Sequence, residues 1–236
     1  MKYLRSLVLL MMLGCGFSAL VQANQAVQEG VDYTRLTKPI AALEKNKNKI
    51  EVVEFFAYLC NHCRDLDLVI TPHVKTFAAD TAFRQIHVDW DAPGREPMYA
   101  NMAKLFSAVN QLHLENQLNE NIYTALFDNK VQLWKKDVLE SWIAKQPDID
   151  AKKFMSVYDS FATDSDAKQM KELTDLYGID STPRIIVAGK YEVSFAKGFS
   201  HAMAVVDVLI QQERQQRGLS DPKPPKTLSP SLLLAP

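Results

Sequence analysis

Residues 50–63 read IEVVEFFAYLCNHC, and the order of residue types in this stretch predicts the centre of the fold. The first eight residues are mostly β-branched, aromatic or otherwise apolar, which is typical of a short strand buried on both faces. Cys60 and Cys63 follow, and apolar residues then recur at helical spacing as far as Phe77, with Pro72 expected to kink the helix. The stretch therefore predicts a buried strand that leads through a Cys-x-x-Cys motif into a helix.

The rest of the chain predicts a second strand, a long helical block, a hairpin and a closing helix. Residues 83–90 have the composition of a strand, and residues 96–177 follow helical periodicity throughout. Strand patterns return at 184–187 and 191–193 on either side of a turn, before a helix at about 200–214. This order predicts an α/β fold whose single sheet is built from two halves, separated in the chain by an all-helical insertion.

The amino terminus has the pattern of a secretory signal peptide. Lys2 and Arg5 precede the apolar run at 7–13, and a cleavage-like site of small or modest side chains ends at Ala23. One alternative is a lipoprotein processed before Cys15, because residues 12–15 loosely resemble a lipobox. Another is an uncleaved membrane anchor. In the first two cases we expect an exported protein.

The chain has 236 residues and a formal net charge of −1. It carries no basic stripe, so nucleic acid is not an expected partner. The length fits one large domain or two small ones. We expect a signal peptide at 1–23, the first part of the sheet domain at 24–94, the helical insertion at 95–170, the second part of the sheet domain at 171–217 and a flexible Pro-rich tail at 218–236.

The two cysteines of the motif are expected to carry redox chemistry. A bridge between Cys60 and Cys63 closes almost no loop, so it would add little to stability by chain entropy. At the start of a helix, the Cys60 sulfur lies beside free N–H groups and the positive end of the helix dipole, which favours a thiolate. We therefore expect Cys60 to be the exposed nucleophile and Cys63 its buried partner.

Two further side chains are candidates for tuning these thiols. His62 lies between the cysteines and would favour negative charge on Cys60, although it could also be an exposed polar residue without a role. Glu54 is a charged residue within the predicted strand, where burial would raise its pKa and fit it for proton transfer, unless it only faces a solvent opening. A metal site is the competing interpretation of the motif, but zinc sites usually need four ligands and His73 is too far along the helix to join.

Two segments resemble the DsbA family of thiol:disulfide oxidoreductases. Residues 54–63 look like the active-site segment of that family, and residues 178–183 look like its cis-proline loop, followed by a similar hairpin at Gly189-Lys190-Tyr191. The resemblance covers nearly the whole mature chain and implies a thioredoxin-like fold with an inserted all-helical domain. The dipeptide between the cysteines is Asn61-His62, where the best-known members have Pro-His.

The resemblance also implies roles and partners. Pro183 is expected to be cis and to face the redox centre, Thr182 to offer backbone hydrogen bonds to a substrate peptide, and Glu54 to match the buried acid of the family. The implied function is the introduction of disulfide bonds into exported, cysteine-containing polypeptides in the bacterial periplasm. The implied enzyme is a monomer that needs no cofactor or metal and is reoxidised by a quinone-linked membrane protein of the DsbB type. The alternatives are a reductase or isomerase of the same fold, or a thiol-based metal carrier.

Overall fold

The computed structural model describes residues 27–37, 39 and 49–219. The predicted signal peptide and the alternative lipid site at Cys15 lie outside these residues, and so does the tail from residue 220 onward. Within the described ranges, no helix is both long enough and apolar enough to cross a membrane.

Five strands form one mixed sheet in the order β1-β5-β4-β2-β3. The strands are β1 (Tyr33–Arg35), β2 (Ile50–Phe56), β3 (Thr81–His87), β4 (Arg184–Val187) and β5 (Tyr191–Val193). Strands β2 and β3 run parallel, and the other neighbouring pairs are antiparallel. Every residue of β2 is buried, as its nearly continuous apolar pattern predicts, because it lies between two strands and has helices on both faces.

Two strands differ from the prediction. β3 spans Thr81–His87 rather than 83–90, because its parallel register pairs Ile50 with Thr81 and Phe56 with His87, so the pairing ends where β2 ends. β1 falls in a segment that the polar sequence at 24–48 did not mark as a strand. It is a three-residue edge strand with only Tyr33 buried, which is too short to produce a recognisable alternation.

Seven α-helices and one π-helical turn complete the described part of the chain. They are α1 (Asn61–Val74), α2 (Met98–Gln111), α3 (Glu115–Tyr123), the π-helical turn (Thr124–Asp128), α4 (Lys136–Ile143), α5 (Ala151–Tyr158), α6 (Phe161–Leu176) and α7 (Phe199–Gln216). Pro72 lies in the last turn of α1. The helical block is therefore confirmed, although α6 continues beyond residue 170, where the sequence predicted the insertion to end.

The sheet separates two apolar cores. On one face, Leu66 of α1 and Leu209 of α7 belong to a core that also contains Val187 of β4. On the other face, helices α2–α6 enclose a larger core with Phe55 of β2, and Phe106 of α2 is one of its members. This is the predicted α/β architecture with a helical insertion. The motif lies at the carboxyl end of β2, the fourth strand in the order of the sheet.

Candidate active site

The two cysteines lie where β2 gives way to α1. Cys60 is the N-cap residue of α1, with extended backbone angles of φ −107° and ψ 116°, whereas Cys63 is within the helix and fully buried. The Cys60 carbonyl accepts hydrogen bonds from the backbone N–H of Cys63 at 3.1 Å and of Arg64 at 3.2 Å. Both thiols are free and Cys60 is partly exposed. The motif therefore presents one accessible sulfur at the positive end of a helix dipole.

The surroundings of Cys60 favour its thiolate. Its pKa is lowered to about 6, chiefly because the Cys63 thiol donates a hydrogen bond to it. The Thr182 side chain and the backbone N–H groups of Cys63 and His62 lower the pKa further, while partial burial opposes them. When protonated, the Cys60 thiol can donate to the Thr182 carbonyl oxygen, 3.4 Å from Cys60 Sγ. A pKa of about 6 means that the ionised form prevails at neutral pH.

Cys63 has the opposite character. Burial raises its pKa far above the usual range, and the hydrogen bond to Cys60 and the negative charge nearby act in the same direction. A buried thiol beside a thiolate keeps its proton, because a second negative charge in the same apolar space is unfavourable. The two sulfurs of one motif are therefore set for different tasks, one as an accessible nucleophile and one as a protonated partner.

The Thr182–Pro183 segment reaches the motif from the other half of the sheet. The Thr182–Pro183 peptide bond is cis, as the resemblance implies, and the Thr182 carbonyl faces Cys60 Sγ. Upstream in the same loop, the Ile179 carbonyl accepts a 2.7 Å hydrogen bond from Trp90 Nε1. This bond anchors the loop to the segment that follows β3.

Glu54 lies beneath the motif in β2 and is only 1 % exposed. Its carboxyl group accepts a 2.9 Å hydrogen bond from the side-chain amide of Gln85, which is its direct cross-strand partner. Burial raises the pKa of Glu54 to about 8, and the negative charges of Asp67 and Cys60 add to the effect, whereas Gln85 opposes it. At neutral pH the group is therefore protonated, with one proton that it can exchange.

His62 occupies an exposed position on the first turn of α1. In the described part of the chain, its imidazole makes no hydrogen bond, and its contribution to the Cys60 thiolate is through its backbone N–H. Any influence of the imidazole on Cys60 must therefore act through its charge, across solvent.

His87 is a site residue that the sequence reading did not identify. It is completely buried at the end of β3, where its Nε2 accepts a 3.1 Å hydrogen bond from the Tyr58 N–H and its Nδ1 is 2.8 Å from the Val88 carbonyl. Burial lowers its pKa to about 3, so the ring is neutral with its proton on Nδ1. It therefore supports the segment that leads into Cys60. The feature that could have identified His87 from the sequence is its position at the carboxyl end of a strand parallel to β2.

No protein-family model matches the chain. The thiol:disulfide interchange protein DsbA of Bordetella parapertussis is 30 % identical over 202 residues, which cover 84 % of this chain and 90 % of that protein. DsbA of Pseudomonas aeruginosa is 26 % identical over 219 residues, or 89 % and 98 % of the two chains.

The solved structures that resemble this chain are also DsbA oxidoreductases. The oxidoreductase NmDsbA1 of Neisseria meningitidis superimposes with a TM-score of 0.74 at 35 % identity, covering 81 % of this chain and 96 % of that one. NmDsbA3 of the same organism gives a TM-score of 0.73 at 36 % identity, with 81 % and 100 % covered. The free thiol pair, the facing cis-proline loop and these relatives lead to one conclusion. The chain belongs to the DsbA family of thiol:disulfide interchange proteins, with the thioredoxin-like fold and the disulfide-forming oxidoreductase activity of that family.

Proposed function

We propose that Cys60 is the nucleophile and Cys63 the resolving thiol with which this oxidoreductase introduces disulfide bonds into exported proteins. One observation carries the proposal, namely that the two sulfurs differ in exposure and in the direction of their pKa shifts. Cys60 is partly exposed, with a pKa lowered to about 6, whereas Cys63 is buried with a raised pKa. A low pKa makes Cys60 a good leaving group and stabilises the reduced enzyme, which favours donation of the disulfide.

The proposed reaction transfers two electrons from substrate to enzyme. A substrate thiolate attacks Cys60 Sγ, the bond between Cys60 and Cys63 breaks, and Cys63 leaves as a thiolate that takes up a proton. A second substrate thiolate then attacks the substrate sulfur of the mixed disulfide, and Cys60 leaves as a stable thiolate. The substrate dithiol has become a disulfide and the enzyme disulfide a dithiol.

Glu54 is proposed as the proton donor and acceptor for Cys63. The two groups influence each other electrostatically, since the charge of Glu54 raises the pKa of Cys63. With a pKa of about 8, Glu54 holds a proton at neutral pH that can neutralise Cys63 as it leaves. His62 is proposed to favour the Cys60 thiolate by its positive charge when protonated.

The loop at Thr182 and Pro183 is proposed to hold the substrate. Its support is the approach of the Thr182 carbonyl to Cys60 Sγ, because a peptide whose cysteine bonds to Cys60 must lie alongside this backbone. Extended peptides add to exposed backbone groups in the manner of a further strand.

The cell compartment and partners are proposed from the family and the sequence. Membership of the DsbA family supports action in the periplasm on cysteine-containing exported polypeptides. We propose reoxidation by a membrane protein of the DsbB type and a monomeric enzyme. We also propose a division into two domains, with the sheet domain at 24–94 and 171–217 and the insertion at 95–170. Helix α6 crosses the boundary between the insertion and the second part of the sheet domain.

Trapping of mixed disulfides tests the proposal. In a Cys63→Ala variant the Cys60 thiolate can still attack a disulfide of an exported protein, breaking that bond and forming a mixed disulfide. No second enzyme thiol remains to reverse this step, so exported proteins should accumulate as adducts on non-reducing gels, and dithiothreitol should release them. The Cys60→Ala variant, in which Cys63 remains buried, is the matched control and should form none. Adducts in both variants, or in neither, would contradict the assignment of Cys60.

Pro183→Ala tests the role of the loop. We expect slower oxidation of a reduced peptide, because the backbone beside Thr182 would no longer hold the peptide in position. Alkylation of Cys60 by a small reagent should continue. Turnover of the peptide at the wild-type rate would remove the loop from the substrate site.

A further inference from the structure

We propose that the outer edge of β3 is a docking site, where an extended segment of a partner polypeptide with Lys or Arg at alternate positions adds to the sheet as a further strand. β3 ends the sheet order, on the opposite side of β2 from β4 and from the Thr182–Pro183 loop that leads into β4. The site is therefore separate from the loop that faces Cys60, and it does not depend on the reaction proposed there.

The backbone of β3 offers hydrogen-bonding groups on its outer side. The β2–β3 ladder begins with the Ile50 N–H, which donates to the Asp80 carbonyl at 2.8 Å, and its parallel register is continuous as far as His87. In such a ladder alternate residues of one strand bond to the other strand, so the residues between them, Phe83 and Gln85, direct their N–H and C=O groups outward. In the part of the chain that the structure describes, these outward groups form no hydrogen bond. They can therefore pair with an added strand.

This edge is longer and less protected than the other edge of the sheet. Proteins usually block an edge by keeping its strand very short, or with Pro, a bulge or a charged side chain. β1 has three residues, whereas β3 has seven and contains neither Pro nor a bulge. The one permanently charged side chain of β3, Arg84, pairs with Glu51 of β2 at 3.5 Å. β3 is therefore a suitable template for a further strand.

Three cavities border this edge and share residues. The first, of about 480 Å³, lies between α1 and α3, and the second, of about 200 Å³, lies between α2 and α6. The third, of about 330 Å³, borders Phe83 and shares Glu115 with the first cavity and Asn110 with the second. Gln85 lines all three, so they form one groove along β3. Because the side chains of a strand alternate between two faces, an added strand would direct one set into the first cavity and the other set into the second.

The first cavity carries an excess of negative charge. Asp67, Glu115 and Glu120 line it, and none of them forms an ion pair with another residue of the described ranges. Arg64, the one cation among the described residues of its lining, is held by Asp128 through hydrogen bonds of 2.9 and 2.7 Å. Basic side chains of a partner would therefore supply the missing positive charge. Edge-to-edge pairing of two copies of this chain would instead bring like charges together, which is unfavourable.

Apolar surface accompanies these charges. Leu68 lines the first cavity and is 72 % exposed, so it can cover the aliphatic stem of a Lys or Arg side chain. In the second cavity, Phe106, Met170 and Leu173 provide an apolar wall. The partner segment that fits this groove therefore alternates basic residues, which face α1 and α3, with apolar residues, which face α2 and α6.

Cysteine-free peptides of alternating Lys and Val test the docking site by fluorescence anisotropy. In one version every Lys amide is N-methylated, and in the other every Val amide. Only one of these two sets of N–H groups can face β3, whichever way the peptide runs, so one version should bind about tenfold more weakly than the other. A peptide with Glu in place of Lys should not compete with the unmethylated peptide. Equal affinities of the two methylated versions, or no binding of the unmethylated peptide, would overturn the proposal.

Charge-reversal variants locate the binding site on the protein. Glu115→Lys, and Glu120→Lys at an exposed position, should each weaken binding of the unmethylated peptide severalfold, because each places a positive charge beside the peptide lysines. Glu140→Lys is the matched control, since it makes the same change of charge at an exposed position of α4 that lines none of the three cavities. It should keep the wild-type affinity. Equal effects at all three positions would mean that the peptide follows the overall charge, against the proposal.

Sedimentation of the protein alone tests a second copy as the alternative occupant. We expect a monomer, whereas a dimer that the peptide dissociates would assign the edge to a second copy and overturn the proposal. Because none of the peptides contains cysteine, oxidation of dithiothreitol reports the redox function independently of all these results.

Discussion

At the scale of single residues, the chemistry follows from surroundings rather than from residue type. Cys60 and Cys63 have the same thiol, yet the pKa of Cys60 is lowered and that of Cys63 is raised. The difference arises because Cys60 receives hydrogen bonds at the start of a helix, whereas Cys63 is enclosed. Glu54 and His87 are likewise driven by burial to their neutral forms. Each neutral or charged state agrees with the task proposed for its residue.

Titration of the Cys60 thiolate is the direct measurement of this arrangement. We expect the thiolate absorbance of the reduced protein to rise with a midpoint near pH 6, well below the value of about 8.5 for a free thiol. Thr182→Val removes a hydroxyl that lowers the pKa, so its midpoint should be higher. Cys60→Ala should remove the transition altogether. A midpoint at or above the free-thiol value would contradict the interpretation.

Glu54→Gln should stabilise the protein at neutral pH. In the folded protein Glu54 stays protonated up to about pH 8, whereas in the unfolded chain it ionises near 4.5. As pH rises between these values, unfolding releases a proton and stability falls. The variant should be more stable by a few kcal/mol at pH 7, since each unit of pKa difference is worth about 1.4 kcal/mol.

Urea denaturation of the oxidised Glu54→Gln protein from pH 4 to 9 checks this expectation. The wild-type free energy of unfolding should decline between about pH 4.5 and 8 relative to the variant and then run parallel to it. Equal stability across the range would mean that Glu54 is ionised in the folded protein.

His62→Ala should make the enzyme a weaker oxidant by a modest amount. The imidazole is exposed, so its charge acts on Cys60 through solvent, while the backbone N–H that favours the thiolate is retained in the variant. We expect a shift of at most about 30 mV, equivalent to a tenfold change in the equilibrium constant. Equilibration with glutathione at several pH values measures it, and an unchanged or more oxidising couple would show that His62 has no such role.

At the scale of elements, one buried carboxylate attaches the edge strand β1 to the other elements of the fold. Among the described strands, β5 is the neighbour of β1. Asp32, which precedes β1, attaches the segment to the start of α7. Its Oδ1 accepts hydrogen bonds from Lys197 Nζ and His201 Nε2, both at 2.8 Å, and its Oδ2 accepts one from the Gln28 N–H at 3.0 Å. The Lys197 ammonium, more than the other donors, holds the pKa of Asp32 well below its usual range. The Asp32 carboxylate is therefore ionised at neutral pH, and the attachment weakens in acid, as pH falls through that lowered pKa.

Asp32→Asn should loosen β1 without affecting the redox site. Loss of the charge weakens the bonds to Lys197 and His201, so amide hydrogens of Tyr33–Arg35 should exchange severalfold faster. Asp207→Asn is the matched control, because Asp207 lies in α7, as His201 does, and its 3.0 Å bond is to His73 of α1. Unchanged exchange in Asp32→Asn would mean that strand pairing with β5 alone holds the edge.

At the scale of the whole molecule, the redox state of the Cys60 and Cys63 sulfurs should change the free energy of unfolding. The reduced folded protein contains a stabilised thiolate that the oxidised protein lacks. Because the pKa of Cys60 is depressed in the folded state, this contribution is complete above the unfolded value and is lost as pH falls through about 6. The effect of Glu54 is common to both redox forms and largely cancels in their difference.

Chemical denaturation should therefore find the reduced protein more stable than the oxidised one at pH 8. We expect a difference of order 2 kcal/mol, after a discount for the solvent that reaches a partly exposed sulfur. The difference should shrink as pH falls from 8 to 5. Cys60→Ser cannot form the disulfide, and its stability should lack the part of the pH dependence that the Cys60 thiolate adds to the reduced protein. An oxidised protein that is clearly more stable would indicate a structural disulfide.

Much of this molecule could be predicted from local signals in the sequence. Three local signals determine β2, the position of Cys60 at a helix start and the burial of Cys63. They are the nearly continuous apolar run at 50–56, the motif after it and the helical periodicity beyond. The helical block and the hairpin at 184–193 were predicted for the same reason, since hydrophobic periodicity and turn residues act over a few neighbouring positions. The resemblance added the expected roles of Thr182 and Pro183, which periodicity could not supply, and it matched Glu54 to the buried acid of the family.

Only the tertiary structure decided how distant residues act on one another. Cys60 meets Thr182 across 122 positions of the chain, and Glu54 meets Gln85 through a strand register that no local pattern specifies. The strand β1 and the neutral buried His87 were likewise not predicted, and the sequence left the exposure of the His62 imidazole open. The physical reason is that a pKa depends on desolvation and on partners brought close by folding. The sequence by itself determined which groups are present and which elements carry them, whereas sheet pairing and packing decided which groups become charged, neutral or reactive.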